Sequence, residues 1–149
     1  MYQKTVLPNG MRIITERLPH VRSVTLGAWF EVGSRQEELE EWGLSHFVEH
    51  MMFKGTKTFS ARQIAELMDQ RGGQLNAFTE KEQTCYYFKV LDEHFSTAAE
   101  LLQDMLLNSL FLPEDVEKEK NVVLEELRMY EDSPEDFVHD LFSDVLWPE

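Results

Sequence analysis

Strand-like segments come first and in pairs, helical segments come later and in a run, and that order decides most of what this chain can fold into. Residues 3–7 and 11–17 alternate polar with apolar around Leu7-Pro8-Asn9-Gly10, and Asn-Gly between alternating stretches is a strong hairpin signal. Residues 21–32, with Val24, Thr25, Leu26, Trp29 and Phe30, read as a third and more buried strand. Residues 74–79 and 84–91 read as two more, joined by a polar turn. Residues 33–43 form a charged loop and 43–53 a helix. After a break at 54–58 comes a second helix through Asp69, with Ser60 as its N-cap and Gly72-Gly73 at its end. Three more helices follow over 92–109, 113–132 and 134–146, the last set off by Ser133-Pro134. This pattern predicts an α+β fold, an antiparallel sheet with helices packed on one face, rather than alternating β-α units. With 149 residues and no repeat or linker, it predicts a single domain. The sequence stops at Trp147-Pro148-Glu149 without a closing element, which reads as the first part of something longer.

Composition narrows the classes. With 42% hydrophobic and 28% charged residues, the chain is neither disordered nor fibrous. Its apolar runs are too short to span a bilayer, and residues 1–15 lack a signal-peptide core, so no membrane association is expected. The single cysteine, Cys85, makes no internal disulfide and suits a reducing compartment, either a bacterial cytoplasm or a mitochondrial matrix. Residues 1–91 carry 11 acidic and 11 basic side chains, whereas residues 92–149 carry 17 acids against 3 bases, the whole net charge of −14. No nucleic-acid partner is expected of so anionic a surface. It could steer basic peptides inward, or simply keep helix faces solvated.

The chemistry concentrates in His46-Phe47-Val48-Glu49-His50. On a helix, with His46 at the origin, His50 falls at about 40° and Glu49 at about −60°. Leu44, Phe47, Val48, Met51 and Met52 fall between about 100° and 240°, a separate apolar face. Two imidazoles at i and i+4 can share one metal ion, with a carboxylate beside them, which is the H-x-x-E-H arrangement of inverted zinc peptidases. A catalytic zinc site wants a third protein ligand. On the helix over 113–132, Val116, Val123, Leu127 and Tyr130 form an apolar stripe. With Val116 at the origin, Glu119 and Glu126 fall at about −60° and −80°, bracketed by Val122 and Met129. Glu117, Asn121, Glu125 and Arg128 face water. Glu126, rather than Glu125, is therefore the candidate ligand, and Glu119 its companion or a ligand-orienting group.

His46 to His50, followed by Met51-Met52-Phe53-Lys54-Gly55-Thr56, resembles the zinc-site helix of the pitrilysin/insulinase family, closest to its processing-peptidase-like branch. Glu126 in Asn121-Val122-Val123-Leu124-Glu125-Glu126 stands where that family keeps its third ligand, and Glu119 where it keeps an upstream glutamate. Gly72-Gly73-Gln74-Leu75-Asn76-Ala77-Phe78-Thr79 resembles the family's substrate-binding strand. Leu7 to Arg12 resembles its opening hairpin, and Glu131 to Asp136 also fits that branch. The likeness implies one Zn²⁺ held by His46, His50 and Glu126, with Glu49 and Glu119 completing the catalytic set. It also implies that this chain is the first part of the N-terminal catalytic half of a longer peptidase. The arginine and tyrosine side chains that a second homologous half supplies in the family would then be missing from it, and a dimer or a pairing of halves is expected.

The mechanism expected is metal-assisted hydrolysis of unfolded peptides or presequences, with Glu49 as general base towards a metal-activated water. The peptide would add as a strand along residues 74–79, with Asn76 and Ala77 in contact and Phe53 lining a pocket near the metal. Cys85 reads as a small buried hydrophobe, and His20, His94 and His139 as structural or surface groups. Two rivals differ in kind. A non-catalytic recognition or assembly subunit of the same family typically lacks metal-site residues, and this chain keeps them. A small-molecule lyase of quorum-signal metabolism, with a related helix, takes a cysteine as third ligand, which would have to be Cys85.

Overall fold

The structure, a computed structural model, describes residues 1–147, apart from the side chains of Asp136, Asp140 and Asp144. The opening strands β1 (Tyr2–Val6) and β2 (Arg12–Glu16) pair antiparallel around the Asn-Gly turn, where Gly10 takes a φ of 88° and Asn9 Oδ1 accepts the Met11 N–H at 3.1 Å. This ribbon is a two-stranded sheet of its own, and an ion pair from Arg12 to Glu31 ties it to the end of the next strand.

The second sheet holds the core. Its strands β3 (Ser23–Phe30), β4 (Gln74–Thr79) and β5 (Thr84–Leu91) run antiparallel in the order β3-β5-β4, so β5 is central and both neighbours are edges. Side chains alternate along β5. Tyr86, Phe88 and Val90 point to one face, where they meet Ile64 and Met68 of α2 (Ala61–Asp69) and Ala98, Leu101, Leu102 and Met105 of α3 (Phe95–Asn108). Phe88 is fully buried, and such a side chain contributes about 1.5–3 kcal/mol of transfer free energy. Helix α2 starts as its sequence predicts, with the Ser60 side chain accepting the Gln63 N–H and the Gln63 side chain accepting the Ser60 N–H.

The opposite face carries a small aromatic group. Trp29 and Phe78 both pair with Cys85 across the ladder and meet edge to face above it, with ring centroids 5.5 Å apart. Cys85 lies beneath them at 1% exposure, and burial pushes its thiol pKa up. Strand β3 is not the more buried strand that its composition suggests. Leu26, Trp29 and Phe30 remain 38–60% exposed, because β3 lies at the sheet's edge and its Trp29 points away from the helices.

Three local features hold the frame. The charged segment 33–43 contains two short 3₁₀ turns rather than open loop. At Gly33 a Cβ would fall 2.1 Å from the Glu80 carbonyl oxygen, so only glycine lets the turn between β4 and β5 close against it. The segment after α1 (Leu44–Met51) is anchored on α3: buried Thr56 donates to Asp104 and accepts the Thr58 and Phe59 N–H groups, and the Lys57 N–H donates to the Asn108 carbonyl at 3.1 Å. Helix α4 (Pro113–Glu131), opened by proline at its first position, packs on α1, and α5 (Pro134–Leu146) packs on α4. Among the described residues, no helix is long and apolar enough to cross a membrane.

Replacing Gly33 with alanine should destabilise the fold by about 1–3 kcal/mol, the usual range for forcing atoms into packed space, as read by urea denaturation. Asp104 titrates below its ordinary 3.8, first through the Thr56 hydroxyl, and against a smaller desolvation penalty. A lowered folded pKa stabilises above the ordinary value and stops doing so as pH falls through the folded one. The difference in melting temperature between wild type and Asp104→Asn should therefore be full at neutral pH and shrink below about pH 3.8.

Candidate metal centre

The candidate metal site is built on α1, which lies between β4 and α4. The helix opens at Gly43, in the left-handed region at φ 86° and without a side chain to cap the first turn. Glu37 supplies the cap from the preceding segment: its carboxylate accepts the Gly43 N–H at 2.7 Å and the Ser45 N–H at 2.6 Å. Burial pushes the Glu37 pKa up, but the hydrogen bonds from Ser45 and Gly43 and the nearby His46 together bring it below the usual value. At the other end, Met51 and Met52 are buried, as the apolar arc of the sequence predicts.

His46, Glu49 and His50 share one face of α1 and are all half-buried. The two rings meet edge to face with Nε2 atoms 3.1 Å apart. Glu126 reaches over from α4, with Oε2 3.4 Å from His50 Nε2 and 3.8 Å from His46 Nε2. One donor atom from each of these three residues lies within 4.8 Å of the others. Tetrahedral zinc with bonds of about 2.0–2.2 Å sets its donors roughly 3.3–3.5 Å apart, so the set fits that ion with little movement. Glu125, next in sequence, points to solvent and pairs with Arg128.

Behind the rings stands Glu119, 4% exposed. Its Oε1 lies 2.9 Å from His50 Nδ1 and its Oε2 2.5 Å from Lys54 Nζ. A carboxylate there accepts from Nδ1–H, which leaves the Nε2 lone pair free to ligate. Desolvation raises the Glu119 pKa, but Lys54 first and His50 second outweigh it, and the carboxyl stays below its ordinary range.

Glu49 is positioned from β4, where the Thr79 hydroxyl donates to its Oε2 at 2.6 Å. Tyr86 beneath is pushed up to about 12 by burial and by the Glu49 charge. On β4, Asn76 is exposed and turns its Oδ1 onto the Ala77 N–H at 2.9 Å, while the Ala77 side chain lies in the core at 9% exposure. Phe53 lines an open cleft of about 600 Å³ together with Ile64, Met68, Leu75 and Asn76; none of the three candidate ligands lines it. Cys85 sits under the aromatic group on the far face of the sheet and joins no metal-binding cluster among the described residues, which removes the cysteine-ligand reading. His20, His94 and His139 likewise join no such cluster. Of the α4 stripe, Val123 is buried, but Leu127 and Tyr130 are 50% and 40% exposed.

A family model described as insulinase, peptidase family M16, matches residues 12–148. The chain belongs to the insulinase family. Among relatives, it is 57% identical over 147 residues to an uncharacterized zinc protease, YmxG, of Bacillus subtilis, covering 99% of this chain and 36% of that protein. It is 49% identical over 145 residues to an uncharacterized zinc protease of Streptomyces coelicolor, covering 97% of this chain and 32% of the relative. In structure it resembles a protease from Helicobacter pylori, with a TM-score of 0.86 at 26% identity over 92% of this chain and 33% of the other. This insulinase-family chain thus spans about a third of the length of the proteins it matches.

Three contacts of the site escape a sequence reading: Glu37 at the start of α1, and the pairings of Lys54 with Glu119 and Thr79 with Glu49, although Lys54 and Thr79 both lie in motifs that the sequence marks. The faint signals are a lysine one turn beyond His50 and a helix start, Gly43, that has no polar side chain of its own to cap it. The insulinase-family chain should bind one zinc ion, measured by competition with a chromogenic chelator. His46→Ala, His50→Ala and Glu126→Ala should each abolish that binding, and Glu125→Ala should leave it unchanged.

Proposed function

We propose that this chain carries the zinc centre of a metalloendopeptidase that cleaves unfolded peptides, and that residues 1–149 are the first part of its N-terminal catalytic half. The observation that carries the reading is the convergence of His46, His50 and Glu126 beside a separately oriented carboxylate, Glu49. Two neutral imidazoles and a carboxylate suit zinc. When bound, the ion supplies Lewis-acid polarisation of a peptide carbonyl and lowers the pKa of water from 15.7 to about 7.

The chain's own residues do the rest. Glu49 takes a proton from the attacking water and returns it to the leaving amine. The Thr79 hydroxyl on its Oε2 keeps the other oxygen turned to the reaction. Glu119 holds the tautomer of His50. The edge of β4, unpaired among the described residues, receives an extended peptide through main-chain hydrogen bonds, with Asn76 and the Ala77 backbone in contact. Phe53 and its cleft take a substrate side chain. Pairing with a second homologous half closes the site. The bacterial cytoplasm suits the bacterial relatives and the single buried thiol.

Glu49→Gln separates binding from chemistry. With the chain tested alone and together with the second half, cleavage of an unstructured fluorogenic peptide should fall by about 10²–10⁴-fold while zinc stays bound. A chelator should abolish wild-type cleavage. Wild-type cleavage by Glu49→Gln would rule out its role as base.

A further inference from the structure

We propose that Lys54 is a positioning residue of the metal centre: by gripping Glu119 it fixes the tautomer of His50 and leaves Glu126, not Glu119, free to ligate. The inference rests on the reading of His46, His50 and Glu126 as ligands.

Helix α4 offers two glutamates to the His50 ring, seven residues apart on one stripe. Both lie within about a hydrogen bond of His50, Glu119 at Nδ1 and Glu126 at Nε2. A neutral imidazole donates at one nitrogen and accepts at the other, so one carboxylate must act as acceptor behind the ring and the other as ligand in front. Position on α4 places Glu126 before both Nε2 atoms and Glu119 behind His50 alone, but it does not fix which nitrogen of His50 carries the proton. Lys54 does: its Nζ sits 2.5 Å from Glu119 Oε2 while Oε1 faces His50, so both oxygens of Glu119 are occupied. This differs from an ordinary surface ion pair, since the Glu119 side chain is only 5% exposed and the lysine reaches inward to meet it. The reach is built into the backbone. The Lys54 N–H donates to the Met51 carbonyl at 3.1 Å, and Gly55 turns at φ 129° into the segment anchored by Thr56 on α3.

The test uses zinc affinity and the ring nitrogens. Lys54→Met should weaken zinc binding by roughly 10- to 100-fold, the usual effect of losing a group that orients a ligand, and Lys54→Arg should restore most of it. Glu119→Gln should weaken it similarly, and Lys54→Met with Glu119→Gln should be no worse than the weaker single variant, because the lysine acts through the glutamate. The surface variant Lys118→Met should bind as wild type. Circular dichroism checks that each variant is folded, and Lys54→Arg keeps the test decisive if Lys54→Met is not. Independently of metal, ¹⁵N shifts of the His50 ring in the metal-free protein at mildly alkaline pH should report Nδ1–H in the wild type and mixed tautomers in Lys54→Met. Wild-type zinc affinity with an unchanged tautomer in Lys54→Met, or additive losses in the double variant, would overturn the role of Lys54. Absence of zinc binding by the wild type would instead overturn the ligand assignment, with the tautomer result still judging Lys54.

Discussion

A carboxylate stays ionised in a protein interior only when other groups answer its charge, and Glu119 is answered twice. Lys54 meets one oxygen and His50 the other. This buried knot joins the end of α1 to the middle of α4, and the remaining distances of the site follow from it. Once the His50 ring is held from behind, its Nε2 faces His46 and Glu126. Removing Lys54 would leave the buried Glu119 charge without its counter-ion, so the knot also makes the helix pairing specific.

The rest of the fold clamps α1 at both ends and on both sides. Glu37 closes its first turn, and the Thr56–Asp104 contact fixes the segment beyond its last. Thr79 on β4 holds Glu49 from one side while α4 closes the other. Beneath, the Phe88 layer of β5 couples the sheet to α2 and α3, so the edge carrying Asn76 and the helix carrying the imidazoles share one rigid support. Reactive side chains held by packed secondary structure keep their geometry better than side chains on loops.

Much of this was legible in the sequence because it follows from period alone. The helical wheel separated Glu126 from Glu125 and put Glu119 inward, and the strand limits at Gln74–Thr79 and Thr84–Leu91 matched their alternation. What periodicity cannot carry is which element approaches which. Lys54, Glu37 and Thr79 matter through partners 65, 8 and 30 residues away, and nothing local marks those pairings. β3 misled for a related reason: its apolar content suggested burial, but burial depends on neighbours, and its position at the margin leaves Trp29 and Phe30 half uncovered. Leu127 and Tyr130 continue the α4 stripe on the wheel yet stay 50% and 40% exposed where Val123 is buried, since a wheel shows a face and not what covers it.

The amide of Asn76 has a bearing on how the protein keeps to itself. A sheet margin with open hydrogen-bonding groups recruits whatever extended chain comes by, sister molecules included. By folding its own side chain onto the next N–H, Asn76 keeps one of those groups engaged. Any pairing at that position along this margin must first break one hydrogen bond that the asparagine already makes.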